Sequence, residues 1–250
     1  MKSFLTAWHF LTIIPLPVKA PFETERMGAS ALYFPLVGLA LGGLLLLADV
    51  VFSPFFPKTM SSLLLLLILA LLTGGIHLDG FADTVDGLAG GGTPEERLRI
   101  MRDGRIGSAA VVALFFLLAV KLLALSALPD AVRWKGLLAF PFIGRSMMIP
   151  AAYFSEYPRD SGLGKAFIGK VPLQAGAGAF AFFVFGIFFL FQYKGLMIGM
   201  GLTAVSILFV RRMVRKMGGI TGDCLGALGE GAEAIFLILL YSFYRPDGAA

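Results

Sequence analysis

The sequence predicts an all-α fold, a polytopic membrane helical bundle, and three observations carry that prediction. Hydrophobic residues make up 58% of the 250 and charged residues only 15%, a balance far from that of soluble domains. The apolar residues gather into long runs separated by short polar, glycine-rich segments, the pattern of spanning helices. The single cysteine, Cys224, excludes an internal disulfide and any multi-cysteine zinc site. The whole chain, 1–250, reads as one integral-membrane domain. Its net charge of +5 serves topology and lipid headgroups, with no nucleic acid implied.

The elements follow in order. Residues 3–14 are apolar and aromatic but too short to cross a core of roughly 30 Å, so they predict an interfacial or re-entrant helix ending at Pro15. No small-residue cleavage site follows, and Pro15 and Pro17 interrupt the run, which argues against a cleaved signal peptide. Spans are expected at 28–52, 60–76, 108–128, 136–154, 173–191, 195–210 and 232–244, about seven in all. The second and last are short.

Basic residues sort unevenly between the loops. Lys2, Lys19, Arg26, Arg97, Arg99, Arg102, Arg105, Arg159, Lys165, Lys170, Arg211, Arg212, Arg215 and Lys216 fall on one side; Lys58, Arg133, Lys135, Lys194 and Arg245 fall on the other. The positive-inside rule then puts the N-terminus and every glycine-rich loop on the cytoplasmic side of the cytoplasmic (inner) membrane of a prokaryote.

The stretch GGIHLDGFADTVDGLAGGG (74–92) dominates the chemistry. If 78–88 is helical, Asp79, Asp83 and Asp86 stand at i, i+4 and i+7 and share one face. They repel one another, and no basic residue lies between them. A cation among the carboxylates resolves that repulsion, and oxygen donors suit Mg²⁺ or Mn²⁺. His77, beside the acids, is a candidate base or ligand. The alternative is a solvated acidic helix face.

Further along, Thr93, Pro94 and Glu96 form a capping box that starts a short helix. It ends in a glycine turn carrying Arg102, Asp103 and Arg105; arginine forks suit phosphate and a further carboxylate suits a metal. Arg145 interrupts an apolar run at an insertion cost of at least about 2.5 kcal/mol, so it is expected to pair with an anion. Lys121, within the third span, reads as structural or snorkelling. The segment SGLGK, with Lys165, is a weak phosphate-loop signal. In GGITGDCLGA (218–227), Gly219 and Thr221 offer close backbone approach to a phosphate, and Asp223 offers another metal ligand.

Together GGIHLDGFADTVDGL (74–88), MRDGRIGS (101–108) and GGITGDCLGA (218–227) closely resemble the motifs of the cobalamin synthase family, the adenosylcobinamide-GDP ribazoletransferases (cobalamin-5′-phosphate synthases). The resemblance covers essentially the whole chain; Gly104, Ile220 and Cys224 are mild departures. It implies an Mg²⁺-dependent transferase of cobalamin nucleotide-loop assembly that joins adenosylcobinamide-GDP to α-ribazole or its 5′-phosphate and releases GMP. Asp79, Asp83, Asp86 and Asp223 would then hold metal, with His77 or an aspartate as base. Arg102, Arg105 and Arg145 would clamp phosphate oxygens. A CDP-alcohol-type lipid phosphotransferase and a cation-coupled transporter are the competing readings, and a homo-oligomer stays open.

Overall fold

The computed structural model describes residues 2–16 and 24–245; Pro17 and Lys19 lie outside them. All its regular elements among those residues are helical. Helix α1 (Lys2–Leu11) is the expected short N-terminal helix. It is fastened to the bundle by the Ile13 amide, which donates to the Leu72 carbonyl at 2.9 Å, and by a stack of Phe10, Phe34 and Phe167.

Helix α2 (Met27–Ser30) leads through a 3₁₀ turn into α3 (Phe34–Phe52), and the two form one apolar rod. Gly38 and Gly42 let α3 lie directly on α8 (Asp130–Tyr153). A β-carbon on them would fall 2.5 Å from the Pro141 carbonyl oxygen and 2.3 Å from that of Leu138. Such small-residue contacts let helix backbones approach where lipid supplies no hydrophobic drive for helix association. Beyond that contact the Arg133 guanidinium of α8 grips the Asp49 carboxylate of α3 at 2.8 and 3.1 Å and also donates to Ser62.

Helix α4 (Lys58–Leu72) stops four residues short of the expected 60–76 span. Gly74 and Gly75 take left-handed φ values of 63° and 69°, which glycine tolerates without a steric penalty. They turn α5 (Ile76–Gly90) by 89° from α4. Helix α6 (Pro94–Ile100) has the expected cap: Thr93 accepts from the Glu96 amide at 3.2 Å, and Glu96 accepts from the Gly92 amide at 2.9 Å. Helix α7 (Ser108–Ala127) and α8 follow.

Helix α9 (Leu173–Met217) is broken at Gln192, with φ 56° and ψ −141°. Its arms, 173–191 and 193–217, fold back on each other: Gly195 meets the Ile187 carbonyl, and Gly199 faces Phe183. Helix α10 (Gly222–Tyr244) begins well before the expected 232, because the glycine-rich motif forms its first turns.

Among the described residues four helices are long and apolar enough to cross a membrane, and the bent pair α4–α5 makes a fifth if counted as one span. The expected seven are not reached on that measure. Helix α8 carries Asp130, Arg133, Lys135 and Arg145 and is not among the four, and the α9 hairpin is a single run. The unusual composition of α8 suits its place: most of it, above all the stretch from Gly136 to Ala152, is buried against other helices, so it needs little lipid-facing apolar surface. Lipid-type exposure falls elsewhere, on Leu47, Phe115, Phe185, Phe189 and Leu208.

Candidate active site

Helices α5 and α10 cross where each carries a glycine. A β-carbon on Gly80 would stand 2.8 Å from the Asp223 backbone, and one on Gly226 would stand 3.1 Å from the His77 Cα. This contact brings Asp79 and Asp83 of α5 beside Asp223 of α10. Thr221 caps α10 by accepting from the Cys224 amide at 3.2 Å, and its hydroxyl donates to Asp223 at 3.2 Å. The loop after α8 closes over the crossing. The Ile220 amide donates to the Glu156 carbonyl at 3.0 Å, Arg159 Nη1 donates to Asp223 at 3.1 Å, and Arg102 reaches the Ser161 carbonyl at 3.3 Å. Segments far apart in sequence thus meet at one end of the bundle.

Asp83 records the charge density there. Burial, and then Asp79 and Asp223, push its carboxyl up to about 7, the response expected of crowded acids. Carboxylate oxygens on two crossing helices are the right donor chemistry for a hard divalent cation, although among the described residues no three such side chains converge on one ion as they stand.

The other expected site residues have different occupations. Asp86 is a helix cap: its oxygens accept from the Gly107 and Ala110 amides, at 2.6 and 3.0 Å, where α7 begins, and both oxygens are thereby engaged by backbone. Asp103 and Arg105 pair with each other at 2.6 Å, with the arginine side chain 87% exposed. Lys165 donates to the Asp160 carbonyl of its own loop at 2.7 Å. Gly219 presses against the Glu156 carbonyl, so its missing side chain serves chain packing.

Arg145 does find its anion, and it is a side chain. Its Nη1 donates to Glu233 of α10. Glu233 also pairs with Lys121 of α7 at 2.6 Å, and Lys121 pairs in turn with Glu230. All four are buried, so Lys121 does not snorkel. Two cations and two carboxylates close a neutral cluster joining α7, α8 and α10. The sequence reading gave neither Glu230 nor Glu233 a role; the signal was two acids three residues apart in an apolar helix. His77 lies on the side of this cluster, buried near the charges of Arg145 and Lys121. Arg159, counted only among the basic loop residues, bonds Asp223, and its charge reaches Asp83.

A separate apolar groove of about 660 Å³ lies between the end of α8 and both arms of α9, lined by residues such as Ile149, Phe180 and Ile207; no acid lines it.

A helical bundle with several apolar spans, and with acids and arginines gathered at one end, defines a polytopic membrane protein. The family model described as cobalamin-5-phosphate synthase matches residues 3–241. The chain belongs to that family. It is 38% identical over 248 residues to an adenosylcobinamide-GDP ribazoletransferase of Acetivibrio thermocellus, covering 97% of this chain and 98% of the relative. It is 40% identical over 245 residues to that of Geotalea daltonii, covering 96% and 97%, and 38% identical over 245 residues to that of Klebsiella pneumoniae, covering 96% and 99%. No solved structure matches the chain.

Proposed function

We propose that the chain is an Mg²⁺-dependent adenosylcobinamide-GDP ribazoletransferase. It joins adenosylcobinamide-GDP to α-ribazole or its 5′-phosphate and releases GMP, at the cytoplasmic face of the inner membrane. The observation that carries this reading is the crossing of α5 and α10 at Gly80 and Gly226, which sets Asp79, Asp83 and Asp223 together beneath Arg159. The family's motifs meet there.

A ribose hydroxyl attacks the phosphorus nearer the cobinamide, and GMP leaves. Little covalent chemistry falls to the protein; positioning and charge neutralisation do most of the work. Asp79, Asp83 and Asp223 would hold Mg²⁺, which when bound neutralises charge on the diphosphate. An aspartate of this group accepts the hydroxyl proton. His77 is less suited to that task, being buried on the side of Arg145 and Lys121. Asp86 acts through α7, whose start it fixes.

The test is direct. Purified protein with Mg²⁺, adenosylcobinamide-GDP and α-ribazole is expected to release GMP in step with corrinoid product, and EDTA is expected to stop it. Absence of GMP with both substrates and metal present would sink the reading.

A further inference from the structure

Arg159 is held by a single nitrogen beside the crowded acids. Its Nη1 is fixed on Asp223 at 3.1 Å, while its Nε and Nη2 are buried without a hydrogen-bond partner. A charged donor left unsatisfied away from water costs more than the roughly 1–3 kcal/mol of a neutral one. The side chain is also held firmly. Its loop is docked through Glu156 onto Ile220 and Gly219, and its charge is felt at Asp83.

The neighbouring cations are committed elsewhere. Arg105 is paired with Asp103 in solvent, Arg102 donates to the Ser161 carbonyl, and Lys165 is bonded to its own loop; Arg145, whose Nε and Nη2 also lack a partner, is held by Glu233 in the core, away from the acids of the crossing. A guanidinium anchored by one nitrogen, with a free edge beside clustered carboxylates, offers the planar fork that takes two oxygens of a phosphate.

We propose that Arg159 is a substrate-binding residue, which takes two oxygens of the donor's diphosphate through Nε and Nη2 while Nη1 stays on Asp223. This rests on the donor assignment above. The bland competitor is a counter-ion that merely neutralises Asp223. Lysine separates the two roles, since it keeps the charge and lacks the fork.

The experiment uses the full chain in detergent, with GDP and Mg²⁺ as the binding probe and donor turnover as the second measurement. Arg159→Lys is expected to keep the thermal stability of the parent and the KM for α-ribazole, while weakening GDP binding and raising the donor KM at least tenfold. Arg159→Gln is expected to weaken GDP binding at least as much. If Arg159→Lys matches the parent in stability, GDP affinity and donor KM, Arg159 is only a counter-ion and the proposal falls. Unchanged GDP affinity in Arg159→Gln overturns it as well. A parent protein that neither binds GDP nor releases GMP would overturn the donor assignment itself and this proposal with it, a result distinct from failure in the variants alone.

Discussion

At the scale of single residues, three aspartates on one helix face divide into two kinds. Asp83 sits in a crowd of acids that raises its carboxyl to about 7, whereas Asp86 accepts two backbone amides of α7. Asp83→Asn and Asp223→Asn are therefore expected to lower GMP release by at least about 100-fold with the fold intact, because the charge on which a cation depends is gone. Mn²⁺ binding followed by electron paramagnetic resonance checks the cause, and undiminished binding in both variants would return the pair to a structural role. Asp86→Asn keeps only one acceptor and turns an NH₂ group toward the other amide of α7, so it should instead cost about 1–3 kcal/mol of stability, seen as a lower midpoint of thermal unfolding with Mn²⁺ affinity little changed. The buried cluster gives a sharper effect. Glu233→Gln leaves Arg145 without its carboxylate and Lys121 with Glu230 alone, and breaking a buried pair costs about 3–5 kcal/mol. Comparable stability of this variant and the parent would show that water, and not Glu233, solvates Arg145.

At the scale of elements, glycines decide which helices touch, and they do so at two places with different consequences. Gly42 brings α3 against the Leu138 backbone of α8, and Gly80 brings α5 against the Asp223 backbone of α10. Adding a methyl group at either forces the helices apart, at about 1–3 kcal/mol for overpacking. Gly42→Ala is expected to lower thermal stability while each folded molecule keeps its turnover, since no site residue lies at that contact. Gly80→Ala should separate the acids of α5 from Asp223 and lose turnover out of proportion to stability. Measuring both quantities on both variants decides it: equal turnover losses would mean the α5–α10 contact has no special part in the chemistry. The 89° elbow at Gly74–Gly75 belongs to this scale too. It points α5 at α10, where a straight continuation of α4 would carry the acids along the bundle axis.

At the scale of the whole molecule, the acids of α5 and α10 lie beside the loop that carries Arg159, and the proposed orientation, with that end in the cytoplasm, rests on the positive-inside rule. A reporter fused after Gly90 is expected to read cytoplasmic and one fused after Pro129 external. The opposite pattern would invert the orientation and remove the site from the compartment of its nucleotide donor. The bundle is closed by polar contacts at both ends and in its middle. Arg133 with Asp49 ties α8 to α3 at one end, the Lys121–Glu230–Glu233–Arg145 cluster ties α7, α8 and α10 centrally, and Arg159 with Asp223 closes the other end.

The sequence by itself determined the class of fold, the order of the helices and the segments that carry the chemistry. Apolar run length and glycine–acid motifs are local signals, and a hydrocarbon core makes helix the only backbone solution for such runs. Local spacing also put Asp79 and Asp83 on one face, which the α5–α10 crossing then brought beside Asp223. Only the tertiary structure decided the partners. That Arg145 meets Glu233, that Asp86 meets the amides of α7, and that Arg159 is joined to Asp223 all depend on contacts between residues 21 to 88 positions apart. No periodicity within a helix encodes such pairings. They follow from where glycines let backbones approach, and from the need of every buried charge for a partner once water is excluded.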